Sequence, residues 1–144
     1  MPTLHLHLTP PPTTGQNAQL AQALTDITAR VLGKRPEVTA VLVHTQPAAQ
    51  WFIGGAVPTQ PTALLQIDIT AGTNTAEEKS AFIAAAWAEL EHQLGAGQPL
   101  APASYVIVRE LAATDWGYGG LTQAARQQAR QRGMSAPVPE PAAV

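Results

Sequence analysis

The sequence predicts an α/β (α+β) protein in which two tandem β-α-β units build one four-stranded mixed sheet with both helices on one face. Three observations carry this expectation. The order strand, helix, strand occurs twice along the chain. Within each unit the apolar spacing changes from period two to helical spacing and back. Each unit then closes on an aromatic segment with paired glycines, Trp51-Phe52-Ile53-Gly54-Gly55 and Trp116-Gly117-Tyr118-Gly119-Gly120. The expected organisation is a first unit over residues 1–60 and a second over 61–121. A short helix and a disordered Pro/Ala-rich tail are expected over 122–144.

Residues 2–8 alternate, with Leu4, Leu6 and Leu8 on one face and Thr3, His5 and His7 on the other, the pattern of a strand. Pro10-Pro11-Pro12 ends it, since proline cannot continue a ladder. Thr13 with Gln16 offers a capping box, and Leu20, Leu24, Ile27 and Val31 form one helical stripe that stops at Gly33. A valine-rich strand is expected over Val38 to Thr45. The second unit repeats the order. Leu64 to Ile69 reads as a strand, and Thr75 with Glu78 as a stronger capping box. Ile83, Ala86, Leu90 and Leu94 read as a helical stripe flanked by Phe82 and Trp87, stopping at Gly95, and Tyr105 to Glu110 as the last strand. Right-handed crossovers make the strands within each unit parallel, and the two units are expected to meet antiparallel. A ferredoxin-like sandwich uses a similar set of elements and is the alternative. Leu121 to Arg132 reads as the short added helix.

The 144 residues suit one domain, or two small units sharing a core. Charged residues make up only 12% of the chain and the net charge is −2, so no footprint for nucleic acid is expected. Sparse charge favours burial of surface in an oligomer. The absence of cysteine excludes disulfides, thiolate metal sites and a cysteine nucleophile. No signal-peptide pattern and no run long enough to span a membrane is visible, so a soluble cytoplasmic protein without a membrane partner is expected.

Pro2 is the leading candidate for chemistry. If Met1 is removed, Pro2 becomes a free secondary amine at the head of a buried strand. An α-amino group has a reference pKa of roughly 8, and burial lowers it, so a neutral ring nitrogen can act as a general base near neutrality. The competing reading is an ordinary second residue selected by processing. His5 and His7 have metal-compatible spacing, but no third ligand is evident and no metal is expected. Lys34 and Arg35 are expected to form a solvated cap after the first helix, and the acids of the second helix a solvated face. The paired glycines are turn residues rather than phosphate loops.

On these residues the chain resembles the tautomerase superfamily, which includes 4-oxalocrotonate tautomerase and malonate semialdehyde decarboxylase. The matching features are Pro2 after the initiator, the β-α-β unit and the hairpin ending in Ile53-Gly54-Gly55, and the doubled unit is similar to fused members. Asp115-Trp116 is similar to the decarboxylase branch. Gln46-Pro47-Ala48 with Phe52-Ile53-Gly54-Gly55 is similar to the cis-3-chloroacrylic acid dehalogenase branch.

The resemblance implies that Pro2 is the acid/base catalyst, that Trp51 and Trp116 line the pocket, and that the assembly is a homotrimer. It implies no cofactor, and a small carbonyl or enol acid as substrate. The chain departs from the family where arginines bind the carboxylate: those positions are Pro12, Thr73, Ala40 and Tyr105 here. By strand alternation Tyr105, Ile107 and Arg109 share the face of that clamp, so Arg109 and Tyr105 are the expected substrate-binding replacements. The expected reaction is tautomerisation. Hydration, dehalogenation or decarboxylation of a small acid is the alternative chemistry, and a non-catalytic trimer the alternative class.

Overall fold

The computed structural model describes residues 2–133. Strand β1 spans Thr3–Thr9, helix α1 Thr14–Leu32, and β2 Ala40–Thr45. Strand β3 spans Thr62–Thr70, helix α2 Ala76–Leu94, and β4 Tyr105–Leu111. A hairpin of β5 (Gly117–Tyr118) and β6 (Leu121–Thr122) leads into helix α3, Gln123–Gln131. The sheet order is β2-β1-β3-β4. Strands β1 and β2 are parallel, as are β3 and β4, and β1 meets β3 antiparallel. The parallel strands of each unit are direct neighbours, whereas a ferredoxin-like sheet inserts another strand between them, so that alternative does not hold.

The alternation of β1 produces this geometry. Leu4, Leu6 and Leu8 are fully buried and pair across the antiparallel ladder with Ile67, Leu65 and Ala63, also fully buried. Val41, Val43, Val106 and Val108 continue this apolar face on the outer strands. Helix α1 lays Leu20, Leu24 and Ile27 on the core, and α2 lays Phe82, Ala86 and Leu90. The expected stripe of α2 holds at Ala86, Leu90 and Leu94, but its first core member is Phe82, while Ile83 is 39% exposed.

The local signals hold with informative exceptions. Thr75 and Glu78 form the full capping box, but Thr13 makes only half of one. Its hydroxyl accepts from the Gln16 N–H, while the Gln16 side chain donates to the Gln93 carbonyl of α2. Strand β2 starts at Ala40 rather than Val38, because Pro36–Val38 form a 3₁₀ turn with proline at its first position. Both glycine-paired segments form tight hairpins with left-handed φ of 60° and 80° at Gly54 and Gly55, and 62° and 80° at Gly119 and Gly120. The tail beyond residue 133, expected to be disordered, lies outside the described residues.

The antiparallel meeting of the units decides where each hairpin goes. Strand β4 ends at the edge of the sheet where β1 begins, so the second hairpin and α3 follow from the Pro2 end. The first hairpin follows β2 and lies at the opposite end, near the start of β3.

Candidate active site

Pro2 is buried and leads directly into β1. Its carbonyl accepts a hydrogen bond from the Ala40 N–H at 3.2 Å, which fixes it against the first residue of β2. The next residue, Thr3, donates its hydroxyl to Asp68 Oδ2 at 3.2 Å. Arg109 Nε donates to Asp68 Oδ1 at 2.8 Å. Arg109 therefore sits on the expected face, one ladder row from Pro2, but it pairs with a carboxylate of its own sheet. Asp68 is only 7% exposed and is not among the expected site residues. The available signal was a lone acid in an apolar strand, on the same face as Arg109 and at its partner position in a parallel register.

The structure separates the other expected site residues. Tyr105 pairs with Leu64, four residues along β3 from Asp68, which is roughly 13 Å of strand. Trp51 lies at that same far end, where it borders a cavity of about 340 Å³ with His7, Gln46, Gln50, Phe52 and Leu64. Within one chain Trp51 and Tyr105 both lie at the end of the sheet away from Pro2. Trp116 is at the Pro2 end and borders a cavity of about 300 Å³ with Asp115, Gly117 and Leu121. Its indole nitrogen is buried and has no hydrogen-bond partner among the described residues.

Of the solvated cap expected at Lys34 and Arg35, Arg35 stays exposed while Lys34 is half-buried. They follow the C-terminus of α1 and line a cavity of about 250 Å³ together with Thr70, Thr73, Gln123, Gln127 and Arg130. Lys34 Nζ donates to Thr73 Oγ1 at 2.9 Å, and the Thr73 hydroxyl donates to the Thr70 carbonyl at 2.7 Å. Burial pulls the Lys34 pKa below its ordinary value, and the attraction of Glu78 partly offsets this. Arg35 pairs with the exposed Glu37 at 2.8 Å. Thr73 is one of the positions where the family pattern places an arginine, so cations have collected around that position rather than at it. The helix expected over Leu121 to Arg132 is present as α3, but its path back to the end of α1 is specified by no local pattern.

The histidines form a third group, on the open face of the sheet. His5 Nδ1 lies 3.3 Å from His44 Nε2. The His7 and His44 rings stack with centroids 4.6 Å apart. No set of three or more metal-ligating side chains converges among the described residues. No helix among them is long and apolar enough to cross a membrane.

This order of elements, with a buried proline leading the first strand and a glycine-paired hairpin after each unit, defines a protein of fused β-α-β type. A family profile described as "Tautomerase enzyme" matches residues 2–60, the span of the first unit. A native fused 4-oxalocrotonate tautomerase (fused 4-OT) crystal structure is 30% identical, with 85% of this chain and 97% of that one covered and a TM-score of 0.73. The structure titled "Q0 fused 4-OT wild type symmetric trimer" is 27% identical over the same shares, with a TM-score of 0.75. Pt0534 inactivated by 2-oxo-3-pentynoate shares the fold at 21% identity, 85% and 97% coverage and a TM-score of 0.75. No curated protein matches by sequence. The chain belongs to the tautomerase superfamily, in its fused two-unit form.

Proposed function

We propose that the chain is a tautomerase-type isomerase in which Pro2, freed by loss of Met1, moves a proton on a small keto or enol acid. The observation that carries this reading is the burial of Pro2 at the head of β1. In the full-length chain its nitrogen belongs to an amide and has no basic lone pair. Removal of Met1 converts it into a secondary amine, and an apolar surround disfavours its charged form, the direction a general base needs. The nitrogen takes a proton from the carbon next to a carbonyl, and the resulting ammonium returns it to the enolate at the other position. The second unit begins inside the chain at Thr62, so each chain supplies one such amine. Trp116 shapes the pocket from the same end of the same chain.

Tyr105 and Trp51 serve a Pro2 site only if they come from another copy. Relatives titled as trimers support a homotrimer as the assembly that would bring them there. Decarboxylation or hydration of a small acid employs the same proton-transfer group and remains the alternative chemistry.

The test combines intact mass with kinetics. The purified protein is expected to lack Met1 and to ketonise phenylenolpyruvate, with kcat/KM falling at least a hundredfold in Pro2→Ala, the usual scale for loss of a positioned acid/base. Retention of Met1 in an active enzyme, or undiminished turnover by Pro2→Ala, would rule the mechanism out.

A further inference from the structure

The cavity between the end of α1 and helix α3 has a chemical character that neither repeat predicts. Lys34, Arg35 and Arg130 bring three cations to a space of about 250 Å³, and its described lining contains no carboxylate. Glu37, paired with Arg35, and Glu78, near Lys34, are the acids that temper them. The nearby backbone acceptors are already engaged. Ala29 and Thr28 carbonyls accept from Gly33 and Lys34 N–H, Leu32 accepts from Asn74 Nδ2, and Thr70 from Thr73. These carbonyls are therefore taken, and the neutral acceptors left on the lining include the side-chain oxygens of Gln123 and Gln127. Gln123 is 3% exposed, and its amide nitrogen has no partner among the described residues. A buried donor without a partner costs stability unless a ligand or water accepts from it.

Helix α3 is held in place for this role. Its first residues donate to the Trp116 and Ala113 carbonyls at 2.9 and 2.8 Å, and Thr122 caps it. Arg126 stacks on the Tyr118 ring at 3.8 Å and donates to the Tyr118 carbonyl at 2.8 Å. So anchored, α3 presents Gln123, Gln127 and Arg130 on one helical face toward the cavity. Thr70 in the cavity wall is two residues beyond Asp68, the ladder partner of Thr3, which places the cavity at the Pro2 end of the sheet.

We propose that this cavity is a carboxylate-binding site, closed by α3, that holds the acid group of the substrate on which Pro2 acts. The assignment of the ligand as substrate rests on the proposed proline chemistry; the site itself does not. Charge-assisted hydrogen bonds from Lys34, Arg130 and the Gln123 amide take the place of an arginine clamp.

The test is calorimetric titration of the full chain with malonate, an unreactive dicarboxylate. The wild type is expected to bind saturably, Arg130→Ala about tenfold or more weakly, the scale of one lost charged hydrogen bond. Arg130→Lys is expected to keep part of the affinity, which separates charge from folding. Arg132→Ala, at the C-cap of the same helix but outside the cavity, is expected to bind as the wild type does. Pro2→Ala is expected to retain malonate binding. No saturable binding by the wild type, or equal binding by Arg130→Ala, overturns the site. If Pro2→Ala abolishes turnover while Arg130→Ala leaves KM unchanged, the carboxylate site is wrong and the proline mechanism stands. If malonate binding depends on Arg130 while Pro2→Ala turns over normally, the anion site stands and the proline mechanism fails.

Discussion

Gly33 and Gly95 end the two long helices at matching places in the repeat, yet they are glycines for different reasons. Gly33 has a left-handed φ of 68° and open space where a Cβ would stand. Gly95 has an ordinary right-handed φ of −72°, but a Cβ there would collide with the Gln98 and Glu91 carbonyls. Gly33→Ala is expected to lower stability by about 1–2 kcal/mol, the penalty of left-handed backbone for an alanine. Gly95→Ala is expected to cost about 1–3 kcal/mol by overpacking and to shift the Gly95–Gln98 turn. Urea midpoints measure both, and amide shifts confined to residues 95–98 mark the second. The histidine face makes a pH-dependent prediction at the same scale. Burial, then the charges of His44 and His5, lower the His7 pKa below 6.5. Below pH 6.5 the unfolded chain takes up a proton that the folded chain resists, so folding stability falls as pH drops through the folded pKa, and His7 adds nothing to the slope above 6.5. Urea midpoints at about pH 7.5 and pH 5.5 should show this loss, and His7→Gln should flatten it.

At the scale of elements, the two helix starts look alike in sequence and differ in structure. Thr75 and Glu78 satisfy each other's backbone N–H groups, whereas Gln16 leaves its box to bridge α1 to α2. Thr75→Ala is expected to cost about 1 kcal/mol, read as a lower urea midpoint. Gln16→Ala is expected to leave the start of α1 capped by Thr13 and to loosen the contact between the helices instead. Hydrogen exchange at the Gln93 end of α2 checks that outcome. The ion pair of Lys79 and Glu110 adds a second tie, from α2 to β4. The capping threonines and turn glycines were legible in the sequence because each acts within four residues. The Gln16–Gln93 bond was not, because it spans 77 positions and depends on how the helices lie side by side.

At the scale of the whole molecule, the sheet has one face covered by α1 and α2 and one left open. The open face carries Leu42, 42% exposed, and Tyr105, 57% exposed, beside His5, His7 and His44. If the homotrimer proposed above forms through this face, the native mass is three chains, and Leu42→Asp on its edge strand β2 should yield monomer on sedimentation. A trimer that survives Leu42→Asp would locate the interface elsewhere. The sequence by itself determined the repeat, the strand and helix order, the hairpins and the place of Pro2, because alternation, caps and paired glycines are local rules that a chain obeys wherever it lies. Tertiary structure alone decided which site residues meet. The antiparallel junction of the two units sends Trp116 and α3 to Pro2 and carries Trp51 and Tyr105 to the far end. It sets Arg109 against Asp68, and it gathers Lys34, Arg35 and Arg130 around one cavity although the first two lie some ninety-five positions from the third. Charges so far apart along the chain come together only through the packing of elements, and no periodicity records that packing.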